Sequence, residues 1–154
     1  MAKPRFPGPK EQPSAEAVLL SAGELGAQLN EALDRAADPV SAIVTLGALF
    51  ARPLAESGYR DRCPVATAVT EAAGDHPATR AACSRAYTGW LEALAARLQR
   101  WGVPQDEAGP LAEVVLSGIQ GALLLAKARQ DCAPLHTVTT RLGALVAAAA
   151  RPAP

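Results

Sequence analysis

The chain has 154 residues, enough for one domain with its own core and too few for two independent ones. Hydrophobic residues make up 49% and aromatic ones only 4%, with alanine and leucine abundant, which favours packed helices over a sheet of β-branched and aromatic side chains. Fifteen Lys+Arg balance fifteen Asp+Glu, so the formal charge is zero and no electrostatic footprint for holding a polyanion stands out.

The start, MAKPRFPGPKEQP, is rich in proline and lacks the charged, apolar and small-residue sections of a signal peptide. No apolar run reaches the roughly 20 residues that span a bilayer, so a soluble, cytoplasmic protein is expected. From Ser14 to Ala37, Val18, Ala22, Leu25, Leu29 and Leu33 recur at helical spacing, with Glu16, Glu24, Gln28, Glu31 and Asp34 off that stripe. Asp38-Pro39 places an N-cap residue before a first-turn proline and starts a second helix over 39–57. Its apolar side carries Val40, Ile43, Val44, Gly47, Phe50, Ala51 and Leu54, and Pro53 predicts a bend that opens space beside Phe50.

Gly58 and Cys63-Pro64 bracket a turn, followed by a short helix over 65–73 closed by Gly74. Asp75-His76-Pro77 begins the next helix, in which Tyr87, Trp90, Leu91, Leu94, Leu98 and Trp101 follow at helical spacing to a stop at Gly102. Pro104, Asp106 and Glu107 open a helix running to about Gln130, with Pro110 in or near its first turns. One of its faces carries Leu111, Val114, Val115, Gly118, Ala122 and Leu125, and another carries Leu116, Ile119 and Leu123, so it needs two partners. Asp131 and Pro134 start the last helix, striped by Leu135, Val138, Leu142, Leu145 and Val146 and ended by Pro152. The expected fold is all-α, a bundle of five main helices plus one short one.

Cys63, Cys83 and Cys132 lie far apart and read as reduced structural thiols. With His76 and His136 they form no C-x-x-C pair and no paired-histidine spacing, so no metal site is assigned. Neither histidine falls in a catalytic motif, and there is no glycine-rich phosphate loop between strand and helix. No catalytic residue and no cofactor are assigned, and an enzyme is not expected. By spacing alone Phe50, Tyr87 and Trp90 either line an apolar cavity or form plain core. Ser117-Gly118-Ile119-Gln120-Gly121-Ala122 permits close helix approach, within the subunit or across a subunit seam. Gln120 is either a ligand contact or a core amide with satisfied hydrogen bonds.

Three stretches, FPGPKEQ at 6–12, CPVATAVTEAAGDHPATRAAC at 63–83 and GIQGALLLAKARQDCAPL at 118–135, resemble the C-terminal regulatory domain of TetR/AcrR transcriptional repressors with an LmrA/YxaF-like C-terminal domain. The similarity runs nearly the whole chain in order. It departs from the family pattern at Pro9, Pro13 and Gln120, where the family usually has glycine, a continuing helix and often glutamate. The resemblance implies that residues 1–13 are the end of a linker from a helix-turn-helix head expected upstream of Met1, that 14–150 are the regulatory domain, and that 151–154 are a flexible tail. It implies a pocket for a small apolar or aromatic effector formed by Phe50, Val69, Tyr87, Trp90, Leu94, Leu116 and Gln120. It also implies a homodimer whose last two helices form a four-helix seam through Leu111, Val115, Gly118, Ala122, Leu125, Leu135, Val138, Leu142 and Leu145. The implied function is effector sensing and dimerisation in a transcriptional regulator, with DNA reached only through a head absent from this chain and no membrane partner. The alternative is a headless partner that sequesters an intact relative in mixed dimers.

Overall fold

The computed structural model describes residues 14–61, 63–72 and 76–150. The linker and tail assigned to 1–13 and 151–154, and the helix signals at Gly74, Asp75 and Pro152, lie outside the described residues. Among the described residues there are six helices: α1 (Ala15–Arg35), α2 (Pro39–Glu56), α3 (Pro64–Ala72), α4 (Pro77–Arg100), α5 (Gln105–Arg129) and α6 (Ala133–Ala149).

Local chemistry accounts for the helix ends. Ser14 caps α1 by accepting from the Ala17 amide, and Asp38 caps α2 by accepting from the Ser41 amide while Ser41 Oγ accepts from the Asp38 amide in return. That hydrogen bond from Ser41 holds the Asp38 carboxyl below its usual pKa. Three helices end in the same two-bond motif, in which a residue just past the helix reaches back to the carbonyl five positions earlier. The bonds are Tyr59 N to Leu54 O after α2, Val103 N to Leu98 O after α4, and Asp131 N to Ala126 O after α5. Gly58 and Gly102 supply the left-handed backbone for the first two, at φ 63° and 93°, whereas Gln130 adopts it at φ 52° after α5. Pro53 and Pro110 sit inside α2 and α5, and both helices run on through them.

The bundle is held by α2 against α6, α1 against α4, and α5 against both α4 and α6, with α3 laid across α4 and α1. Ile43, Leu54, Leu98, Ile119 and Leu135 are fully buried at its centre, each contributing roughly 1.5–3 kcal/mol of transfer free energy. The tightest crossing is at Gly47 of α2, where a Cβ would lie 2.4 Å from Thr139 Cγ2 on α6. Thr139 is only 1% exposed, and its hydroxyl is satisfied by its own helix, donating to Leu135 O at 2.8 Å. Val40 and Val44, placed on the apolar side of α2 by their spacing, are partly exposed, while Ala42 and Leu46 are buried in that face.

By length, and by a mean hydropathy of 1.5 over its most apolar 18 residues, α5 is apolar enough to cross a membrane. No unbroken apolar run shows this, because Glu113 and a few small polar residues interrupt the stretch. In this fold Val115, Ile119, Ala122 and Ala126 of α5 are buried against neighbouring helices.

Candidate functional site

Between α3, α4 and α5 the surface forms a groove of two adjoining lobes that share Tyr87 and Gln120. One lobe, of about 360 Å³, lies between Tyr87 and Leu91 of α4 and Leu116, Ser117 and Gln120 of α5. The other, of about 440 Å³, has Ala66, Thr67 and Val69 of α3 as one wall and Gln120, Leu123 and Leu124 of α5 as the opposite one. These volumes fall in the range of small-molecule sites. A separate, partly open inner cavity of about 60 Å³ is lined by Leu46, Phe50, Trp90, Leu94, Leu116 and Ile119 and reaches the surface at Asn30 of α1 and Gly89 of α4. It has room for a few water molecules and not for a drug-sized ligand. A further hollow of about 130 Å³ lies beside Phe50, Pro53 and Leu54, where the sequence predicted space, and Cys63 borders both it and the larger lobe.

The seven residues expected to converge are thus divided. Val69, Tyr87 and Gln120 line the outer groove, Phe50, Trp90 and Leu94 line the inner cavity, and Leu116 borders both. The division falls between Tyr87 and Trp90, whose rings meet edge to face at 5.5 Å and 87°. Trp90 turns inward, donating its indole N–H to Ala22 O of α1 at 3.1 Å.

Gln120 is half-buried and donates from Nε2 to Cys63 Sγ at 3.7 Å, a weak bond, and its carbonyl oxygen has no described partner. Cys63, read in the sequence as a reduced structural thiol, is also part of the groove wall. All three cysteines are free thiols: Cys83 is buried near the Val65 carbonyl, and Cys132 lies at 3.5 Å from Ala51 O. Among the described residues no group of three or more His, Cys, Asp or Glu is placed to hold a metal ion. At the groove's rim Lys127 donates to Arg60 O at 3.0 Å, so its ammonium is engaged with the α2–α3 turn. Sequence reading missed Leu123, Leu124 and Lys127 because helical spacing does not reveal which residues of an all-round apolar helix face a gap.

Burial, with a smaller electrostatic effect of the Cys63 and Cys83 thiols, pushes the Tyr87 phenol up to about 12. Tyr87 is thus a neutral hydrogen-bond donor throughout the physiological range. A pKa raised on folding favours the neutral form, so its contribution to stability is complete below the unfolded value near 10 and is lost as pH rises through about 12. Alkaline titration followed by the phenolate absorbance band is expected to show a group ionising near 12 in the folded chain. Tyr87→Phe should remove that group and flatten the alkaline fall in stability, and an ordinary phenol pKa for Tyr87 would contradict the assigned burial.

The residues expected at a subunit seam also divide. Leu111, Val115, Ala122, Leu135 and Leu142 are buried inside the subunit, and Gly118 abuts Leu142 and Val138 of the same chain. Leu125 and Leu145 are exposed, and Val138 is half-buried. At 100° per residue the exposed small and apolar positions Pro110, Val114, Gly121, Leu125 and Ala128 share one arc of α5. That arc lies between the α6 contact at Gly118 and the groove residues Ser117 and Leu124.

Residues 39–141 match the family model described as transcriptional regulator LmrA/YxaF-like, C-terminal domain. An uncharacterized HTH-type transcriptional regulator of Mycobacterium tuberculosis strain H37Rv, Rv0196, is 30% identical over 148 residues, covering 93% of this chain and 74% of that relative. YxaF, an uncharacterized HTH-type transcriptional regulator of Bacillus subtilis strain 168, is 26% identical over 141 residues, covering 92% of this chain and 74% of its own length. The chain belongs to the TetR/AcrR family of transcriptional regulators, in the branch with an LmrA/YxaF-like C-terminal domain. Its six helices, with α3 the short one, follow the topology of that regulatory domain.

Proposed function

We propose that this regulatory domain senses a small, mostly apolar effector in the groove between α3, α4 and α5, and that it works as a homodimer paired through α5 and α6. The observation that carries the reading is the outer groove itself. It has the volume of a ligand site, apolar walls from Val69, Leu123 and Leu124, and Tyr87 and Gln120 shared by both lobes, with the acidic residues Glu113 and Asp61 also in its lining. Lys127, the cation at its edge, is engaged by main-chain carbonyls of Arg60 and Asp61, which favours an uncharged ligand over an anion. The pairing reading is supported by the exposed arc Pro110, Val114, Gly121, Leu125 and Ala128, uncharged at these positions, and by the exposed Leu145 on α6, the helix packed against α5.

The test uses N-phenyl-1-naphthylamine, a flat uncharged dye that fluoresces when it enters an apolar pocket. The wild-type chain is expected to bind it. Val69→Trp, which fills the groove from a partly exposed position, should weaken binding by about tenfold or more. Leu20→Ala, on the exposed side of α1, should bind as wild type does. Equal binding by Val69→Trp and wild type would remove the groove from consideration.

A further inference from the structure

Trp90 occupies an unusual place in the bundle. Its ring packs edge to face on Tyr87, which borders both lobes of the outer groove, and its other side lines the inner cavity. Its indole N–H is bonded to the Ala22 carbonyl in the middle of α1, at 3.1 Å. Within a helix that carbonyl already serves the amide four residues on, so the indole makes a second, supplementary bond that can be released without breaking α1. Gly26 forms the seat for it: a Cβ there would lie 3.0 Å from the indole nitrogen and 3.3 Å from its neighbouring carbon. The inner cavity of about 60 Å³ beside the indole leaves a side chain in an otherwise packed interior with space to move into.

The other side-chain tie of α1 to α4 among the described residues is the ion pair of Asp34 with Arg97. Arg97 is mostly buried, its Nε has no partner, and burial lowers its pKa. Asp34 lies twelve residues beyond Ala22, about 18 Å along the helix axis. Beyond the apolar packing of the two helices, polar side-chain bonds thus join α1 to α4 at two separate points, and only the one at Ala22 adjoins a groove-lining side chain.

We infer that Trp90 is the positioning residue through which occupancy of the outer groove is felt at α1: a ligand seated against Tyr87 displaces the Tyr87–Trp90 pair toward the inner cavity and releases the bond to Ala22. The inference rests on the groove being the ligand site, as proposed above. It adds a physical link by which that site reaches a helix that lines neither lobe, alongside the direct packing of α3 on α1.

The experiment is hydrogen exchange on the full chain, read by NMR at the α1 amides and at the two tryptophan indole N–H groups, with and without saturating N-phenyl-1-naphthylamine. In wild type the dye is expected to speed exchange of the Trp90 indole N–H and of amides near Gly26 by about tenfold or more, leaving the Trp101 indole unchanged. Gly26→Ala, which crowds the indole from the α1 side without touching the groove, should bind the dye within about twofold of wild type. It should show the faster α1 exchange without dye and respond little to its addition. Trp90→Phe keeps an aromatic ring and deletes the donor, and should give the same dye-free α1 exchange if Gly26→Ala proves unstable. Dye fluorescence with no change at α1 or at the Trp90 indole would overturn this inference alone. No dye binding would overturn the groove reading and this inference with it.

Discussion

Gly47→Ala is expected to destabilise the domain by about 2 kcal/mol, although alanine is ordinarily the better helix former by up to about 1 kcal/mol. The added methyl would lie 2.4 Å from Thr139 Cγ2 and 2.9 Å from its hydroxyl oxygen, well inside contact distance. Thr139 cannot turn away cheaply, since its hydroxyl donates to Leu135 O at 2.8 Å and the residue is buried. The pair lies at the crossing of α2 and α6, so relief requires these helices to separate. Thermal or denaturant unfolding monitored by circular dichroism checks the prediction. Thr139→Ala in the same chain should restore much of the loss by removing the obstructing methyl, giving a coupling of 1 kcal/mol or more in a double-mutant cycle. Additive effects of the two substitutions would show that the crossing relaxes in some other way.

The second large effect is expected on assembly. Val114→Glu combined with Leu145→Glu should raise the dimer dissociation constant by at least about 100-fold, near 3 kcal/mol, because each copy would bring carboxylates to an apolar seam. Both residues are nearly half exposed, at 49% and 45%, so the subunit's own core is left alone. Helicity should be unchanged and the unfolding midpoint measured under monomeric conditions nearly so. Sedimentation equilibrium of wild type and variant across micromolar concentrations is the measurement. A wild-type chain that stays monomeric there, or a variant that dimerises equally well, would sink the pairing through this arc.

The helices were legible in the sequence wherever their punctuation was local. Asp38-Pro39 and Gly102 mark their helix ends through capping chemistry that requires no knowledge of the rest of the fold. Gln130 gave no such signal, because a non-glycine residue in the left-handed region is held there by the two bonds that close α5 rather than by its own preference. Thr139 was equally silent: a threonine interrupting an apolar stripe looks solvent-facing until its hydroxyl is seen bonded within its own helix.

The groove was only partly legible for a related reason. Tyr87 and Trp90 are three residues apart and share a helical face, yet one borders the groove and the other reaches inward to α1. Spacing fixes the side of the helix and not which gap each ring enters. On α5 the limit is stricter still. Val114 and Val115 are adjacent, equally apolar and equally suited to a core, and only the position of α4 and α6 decides that Val115 is fully buried while Val114 is not.

The three sides of α5 also divide the mutations the helix can absorb. One side is committed to the core, one borders the groove, and the third, from Pro110 through Val114 and Gly121 to Leu125, supports neither. Substitutions on that third side can accumulate without loss of folding and without reshaping the groove. Under the pairing proposed through this arc, duplicated genes for such a chain could therefore diverge in mating preference while keeping the same scaffold and the same groove. Insulation of sister regulators from mixed assemblies would then require changes at only a few surface positions.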